Sequence, residues 1–214
     1  MVWFSKNRHG RFRDSDLLRH LFETVVTRCL EEGLASGQRL AADASIIAAD
    51  ANRQNSTPKS DWQSGSIDPL DAPRAVREYL DTLDDAAFGG ASPVEPKFTS
   101  HSDPASQWTG ARGGPAYFAY STNDLIDTDN GVILDVEATR SIRQAEVGSV
   151  RTMIDRVNDT FGIAPERLIA DTAYGTGVML DWLDQQRDIA PHILVFHCPS
   201  GDCDAICREG QVSP

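Results

Sequence analysis

The sequence has few long apolar stretches and few cysteines. Nowhere do about 18 apolar residues follow one another, so no membrane-spanning helix is predicted. The opening "MVWFSKNRHGRFR" is basic but has no apolar core behind it, which excludes a secretory signal. Three of the 4 cysteines crowd into the C-terminal tail, and Cys29 stands alone. This distribution of cysteines does not indicate a disulfide framework. It predicts that the protein functions in a reducing, cytoplasmic environment.

Basic residues are in the minority, with 20 Lys and Arg against 32 Asp and Glu and a net charge of −12. This balance argues against a large nucleic-acid footprint, because binding a phosphate backbone needs clustered cations. The distribution is uneven, however. Residues 1–13 contain no acid and four cations, Lys6, Arg8, Arg11 and Arg13. These side chains are candidates for phosphate contact, or for the solvated start of a helix, and charge alone leaves the partner open.

Regular periodicity is missing between residues 52 and 112, apart from a short helical pattern in "PRAVREYLDTL". The segment is rich in Ser, Pro, Asp and Gly and is interpreted as an insertion without regular structure. Before it, helical spacing predicts a helix from Leu17 to Leu30 that Gly33 ends. Alternation in "QRLAADASIIAAD" then favours a strand, although its alanines leave a helix open.

Regular sequence periodicity returns after the insertion. Two strands, "PAYFAYSTNDLID" and "VILDVEAT", flank the hairpin signal Asp129-Asn130-Gly131. A helix follows, with a capping-box pattern at Ser141 and Gln144 and a stop at Gly162. "RLIADTAYG" is predicted as a strand, "GVMLDWLDQQ" as a helix and "PHILVF" as a last strand. This order predicts an α/β fold with a mixed sheet covered by helices.

Two aspartates stand on separate predicted strands among small residues, Asp43 in "AADAS" and Asp171 in "IADTAYG". If the two strands are neighbours, the carboxylates converge and form hard oxygen ligands for Mg²⁺ or Mn²⁺. Acids at strand ends also cap the helix that follows, and Asp171 has the right place for that role. Asp127, Asp135 and Glu137 are further strand-associated acids, so spacing alone leaves both readings open.

Several longer motifs carry a family resemblance. They are "SDPASQWTGARGGPAYFAYSTNDLID", "VILDVEATRSIRQAEV" and "LIADTAYGTGVMLDWL", preceded by "NRHGRFRDSDLLRHLFETVVTRCLEEGL" and "ADASIIAADANRQ". In this order they resemble the DDE domain of bacterial insertion-sequence transposases, over roughly residues 3–196. The resemblance implies an RNase H-like catalytic domain that cleaves transposon ends and joins them to target DNA.

The family pattern also implies roles for particular residues. Asp43 matches the first catalytic aspartate, in its D-A-S/T context, and Asp171 with Tyr174 matches the second, in a D-x-x-Y context. Both are then expected to bind Mg²⁺ or Mn²⁺. Asn52 and Arg53 are expected near DNA. The basic residues of the N-terminal region, Lys6, Arg8, Arg11 and Arg13, are expected to contact DNA as well. Other implied partners are a second copy or a full-length transposase, in a bacterial, nucleoid-associated setting.

The chain departs from the family at both ends. A third acid, a glutamate on a later helix, is not found, and Glu209 lies in a tail without helical pattern. The expected division is a partial DNA-binding region at 1–37, a catalytic domain at 38–196 that is incomplete at its C-terminus, and an irregular, out-of-frame tail at 197–214. A zinc site from His197, Cys198, Cys203 and Cys207 is the alternative for the tail, but its spacings fit no common pairing.

Two functions therefore remain open from the sequence. One is a transposase fragment performing metal-dependent phosphoryl transfer, with low activity expected because the third acid is missing. The other is an inactive chain that binds DNA or full-length transposase and inhibits transposition, or a decayed relic.

Overall fold

A computed structural model describes residues 16–62, 97–110 and 114–194. Lys6, Arg8, Arg11, Arg13, the predicted helix at 73–83 and the cysteine-rich tail lie outside these ranges. The helices are α1 (Leu17–Glu31), α2 (Arg143–Phe161) and α3 (Gly177–Asp181), which continues as a π-helix (Trp182–Gln186). Short 3-10 helices lie at Arg53–Asn55, Lys59–Asp61 and Thr172–Tyr174. The strands are β1 (Arg39–Ala48), β2 (Ser56–Pro58), β3 (Phe98–Ser100), β4 (Gln107–Gly110), β5 (Ala116–Asp127), β6 (Val132–Arg140), β7 (Arg167–Ala170) and β8 (Ala190–Ile193).

The main sheet is mixed, with the order β4-β5-β1-β7-β8. β5 is antiparallel to β1, while β7 is parallel to β1 and β8 is parallel to β7. β4 and β6 share the other edge of β5: β4 pairs with residues 116–119 and β6 with residues 120–127. β2 and β3 form a separate antiparallel pair. The predicted α/β class with a mixed sheet and helices is confirmed.

The hydrophobic core lies between one face of the main sheet and the helices. Leu40 and Ala42 alternate along β1 on that face and join Leu125 and Leu168 from the neighbouring strands. The helices contribute a larger set of buried side chains: Val26, Val150, Met153, Ile154, Val157, Met179, Trp182 and Leu183. Side chains of the opposite sheet face are exposed, including Ile47 and Ile169. Alternation therefore places residues 41, 43 and 45 of β1 on the open face.

Most elements expected from the sequence are present. β1 is a strand over its whole length, so the helical alternative is excluded. The hairpin between β5 and β6 turns at Gly131 with φ +72°, and α2 ends at Gly162 with φ +68°. Both glycines take the left-handed conformation that residues with a Cβ rarely adopt.

The helix predicted at 177–186 is present and changes from α to π at Trp182. Two local expectations were wrong. α2 begins at Arg143 with Ile142 as its N-cap and no side-chain capping bond, so the capping box at Ser141 does not form. Part of the supposedly irregular insertion is ordered, because β4 forms an edge strand of the main sheet and β2 pairs with β3.

Candidate metal centre

Asp43 lies in the middle of β1 and its side chain is exposed. The strand places it on the open face because its neighbours Ala42 and Ala44 point towards the core side. Its Oδ1 accepts a hydrogen bond from the Ala44 backbone N–H at 2.8 Å. That bond orients the carboxylate and leaves Oδ2 available to a ligand.

Asp171 directly follows β7 and is also exposed. It is the N-cap of the 3-10 helix at Thr172–Tyr174, and its Oδ1 accepts from the Ala173 N–H at 2.8 Å. The capping role suggested by the sequence is therefore real. It uses one carboxylate oxygen, however, so capping and metal binding do not exclude each other.

The strand register brings the two aspartates together. β1 and β7 are parallel, with Ala41 opposite Ile169 as the last pair of the ladder. Asp171 keeps an extended backbone, with φ −76° and ψ 177°. Continued two residues beyond the last pair, the same register matches Asp43 with Asp171, so both carboxylates belong to the same end of this strand pair.

The charge of this pair is not neutralised by the described part of the chain. Within residues 16–62, 97–110 and 114–194, neither Asp43 nor Asp171 has an ion-pair partner. On the other side, Asp43 pairs across the antiparallel ladder with Asp124, a third acid on the same face. Like charges opposite one another in a sheet repel, which favours a bound cation here.

Tyr174, three residues after Asp171, carries a buried hydroxyl. Tyr174 is 3% exposed, and its hydroxyl has no hydrogen-bond partner among the described residues. Burial raises the pKa of Tyr174, and the negative charges of Glu146, Asp171 and Asp43 raise it further. Glu146 belongs to the first turn of α2, and its Oε1 accepts from Ser121 Oγ at 2.6 Å.

Glu146 was not singled out from the sequence. A signal for it existed, because Glu146 shares a helix face with the buried Val150 and Met153, at spacings of four and seven residues. An acid on the apolar side of an amphipathic helix needs a polar partner.

The donor chemistry fits Mg²⁺ or Mn²⁺. Two exposed carboxylates that face the same space are hard oxygen ligands, and Mg²⁺ sites commonly use one or two of them with several waters. In the ranges that the structure describes, no three His, Cys, Asp or Glu side chains are already grouped as a metal site.

The two residues expected near DNA lie beyond the far end of β1. Asn52 caps the 3-10 helix at Arg53–Asn55, where its Oδ1 accepts from Asn55 N–H at 2.9 Å. The exposed Arg53 guanidinium stacks on the Phe98 ring at 3.6 Å from its centroid. Ala48, the last residue of β1, is five steps along the strand from Asp43, or about 17 Å. The structure therefore does not bring Arg53 to the carboxylates.

Comparison with family models, with curated proteins and with solved structures found no match to this chain. None of the helices within the described ranges combines the length and the apolar character needed to cross a membrane.

Proposed function

We propose that this chain is a transposase domain of the DDE type, with an RNase H-like fold, that acts on DNA by metal-dependent phosphoryl transfer. The observation that carries the proposal is the parallel register of β1 and β7, which continued past its last pair matches Asp43 with Asp171, both exposed and without a counter-ion among the described residues. The sequence resemblance supplies the reaction, cleavage at insertion-sequence ends followed by strand transfer.

In this proposal Asp43 and Asp171 hold Mg²⁺ or Mn²⁺ through the oxygens that the backbone does not use. When bound, the metal supplies activation of the attacking water or hydroxyl and stabilisation of the leaving oxygen of a phosphodiester. The backbone N–H groups of Ala44 and Ala173 hold the carboxylates in place, so little side-chain entropy is lost on binding.

Arg53 supports the DNA part of the proposal. Its guanidinium is exposed, and stacking on Phe98 restricts the conformations of the side chain. This position favours contact with a phosphate. DNA binding through Arg53 does not require the carboxylates, which are remote from it. This separation favours a second function, an inhibitor that binds DNA or full-length transposase without cleaving.

The test uses the full chain with supercoiled plasmid and with linear duplex DNA. If the chain is an enzyme, Mn²⁺ or Mg²⁺ supports nicking that Asp43→Asn and Asp171→Asn abolish, while both variants still shift the duplex in a gel. Gel shift without nicking, weakened by Arg53→Ala, favours the inhibitor. Neither binding nor nicking on either substrate contradicts both functions.

A further inference from the structure

The helix α1 has apolar side chains on two opposite sides. One side belongs to the core, where Val26 is buried and Phe22 and Leu30 pack against the cluster. The other side carries four apolar side chains that are between 50% and 58% exposed: Leu17, Leu18, Leu21 and Val25. A helix that is apolar on all sides is normally buried on all sides. The outer side of α1 therefore has the character of an interface, and we call these four residues the α1 stripe.

The α1 stripe is continuous along the helix. Leu17, Leu21 and Val25 are four residues apart, so they follow one another on one face, and Leu18 lies beside Leu21 at a spacing of three. Single exposed apolar side chains are common and need no explanation, whereas a contiguous patch marks an interaction site. The stripe is therefore expected to bind another apolar surface.

The spacing makes the α1 stripe complementary to itself. Leu17 lies four residues before Leu21, and Val25 lies four residues after it. When two copies of α1 pack antiparallel and cross at Leu21, Leu17 meets Val25 of the second copy, and the two Leu21 side chains meet at the centre. A two-fold interface uses the same patch on both subunits, as this arrangement does.

The charges at the C-terminal end of α1 favour antiparallel over parallel packing. Arg28 is paired there with Glu31 and Glu32, and the two glutamates leave this end negative, where the helix dipole is itself negative. A parallel second copy would place Arg28 beside Arg28 and glutamates beside glutamates. An antiparallel copy keeps the two sets of charges at opposite ends of the interface and turns its positive N-terminal end towards the glutamates.

We propose that the chain forms a two-fold dimer in which the α1 stripes of two copies pack antiparallel around Leu21. Such a dimer depends neither on the metal site nor on DNA binding. Four half-exposed side chains supply a few hundred Å², less than the roughly 800 Å² per partner of a stable complex. The dimer is therefore expected to be weak and to dissociate at micromolar concentration. The net charge of −12 on each copy opposes association, so added salt should strengthen it.

Sedimentation velocity of the full chain, from micromolar to millimolar concentration, tests the dimer. Leu21→Glu places two negative charges at the centre of the interface and should weaken association at least about 10-fold. Leu21→Ala keeps a high helix propensity and should weaken it by a smaller factor. Val178→Glu is the matched control, because it puts the same charge on an apolar side chain of another helix that is 70% exposed, and it should leave the Kd unchanged. Circular dichroism of each variant checks folding.

Two double variants test the antiparallel orientation. In Leu17→Lys/Val25→Glu each lysine meets a glutamate of the second copy, so the dimer should persist and now weaken as salt is added. Leu17→Glu/Val25→Glu changes the same two positions to like charges and should be monomeric. In a parallel dimer both double variants would bring like charges together, and both would be monomeric.

The outcomes decide between this dimer and other uses of the α1 stripe. A chain that stays monomeric up to millimolar concentration overturns the dimer, and the stripe then binds another segment of the chain or a different protein. A dimer that Leu21→Glu does not weaken, or that Val178→Glu weakens equally, overturns the α1 interface. Loss of the dimer in both double variants contradicts antiparallel packing. Metal binding by Asp43 and Asp171 is measured separately, and none of these outcomes changes it.

Discussion

Two groups of acids on the main sheet differ in how their charge is balanced. The Asp135 side chain is fully buried and bonded to two arginines, Arg19 at 2.6 Å and Arg156 at 2.7 Å. Asp43 and Asp171 are exposed, and each has one backbone N–H as its described partner. Asp135 is neutralised by these two arginines, whereas no ion pair within the described ranges balances the charge of Asp43 and Asp171.

This difference separates a structural acid from a candidate functional one. A buried carboxylate is stable only with counter-charges and hydrogen bonds, and Arg19 and Arg156 join α1 and α2 to β6 while supplying them. The pair formed by Asp43 and Asp171 connects no elements in this way. Its carboxylates remain available to water or to a cation, as a metal site requires.

The largest effect is expected from removing the charge of Asp135. Asp135→Asn leaves two arginines without their buried partner and should lower the free energy of unfolding by about 3 kcal/mol. Urea denaturation followed by circular dichroism measures it. A loss below about 1 kcal/mol would show that Asp135 is not the structural acid of the comparison.

Asp43 and Asp171 should show the reverse behaviour. Without metal, Asp43→Asn and Asp171→Asn should change the free energy of unfolding by no more than about 0.5 kcal/mol, since both are exposed and Asn caps helices as well as Asp. Mn²⁺ at ten times its Kd should stabilise the parent chain by about 1.4 kcal/mol and neither variant. Equal stabilisation of all three chains by Mn²⁺ would count against the pair as the metal site.

The Tyr174 hydroxyl is a further buried polar group to compare with Asp135. Tyr174→Phe eliminates a buried polar group that has no partner in the described part of the chain, and it should raise the free energy of unfolding by about 1 kcal/mol in metal-free buffer. Denaturation with chelator present measures the gain. A clear loss of stability instead would mean that the hydroxyl is already hydrogen-bonded in the folded chain.

The smallest effect concerns Asp129, an exposed acid that is nevertheless paired. The hydrogen bond from Ser36 and then the contact with Arg39 lower its pKa. Because the folded pKa lies below the unfolded value of about 3.9, this contribution is present above that pH and is lost as the pH falls through the lowered value. Melting temperatures of the parent chain and Asp129→Asn between pH 5 and pH 2 check it. The difference between them should shrink towards low pH, and a difference that grows would contradict this sign.

Local features were the predictable part of the fold. The hairpin at Asp129-Asn130-Gly131, the αL end of α2 at Gly162 and the strand around Asp43 each depend on a few adjacent residues. The sequence also placed Asp43 on a strand and Asp171 at the end of one, where the structure has them.

Long-range features could not be predicted in this way. Arg19 and Asp135 are 116 residues apart in the sequence, and no local sequence pattern predicts their contact. β4 has only four residues and ends in a glycine, so its strand character comes from pairing with β5 rather than from its own composition. The position of Glu146 on the apolar face of α2 indicates that it needs a polar partner, but the partner, Ser121, is set only when α2 packs on the sheet.

The central claim is that Asp43 and Asp171 bind one divalent cation, and Fe²⁺ tests it most directly. Fe²⁺ in the Mg²⁺ position, with ascorbate and peroxide, produces hydroxyl radicals that cut the nearby backbone. The account predicts cuts close to both residue 43 and residue 171, mapped by mass spectrometry, which excess Mg²⁺ suppresses and Asp171→Asn removes. Cuts confined to other parts of the chain, or cuts that Mg²⁺ does not suppress, would contradict it.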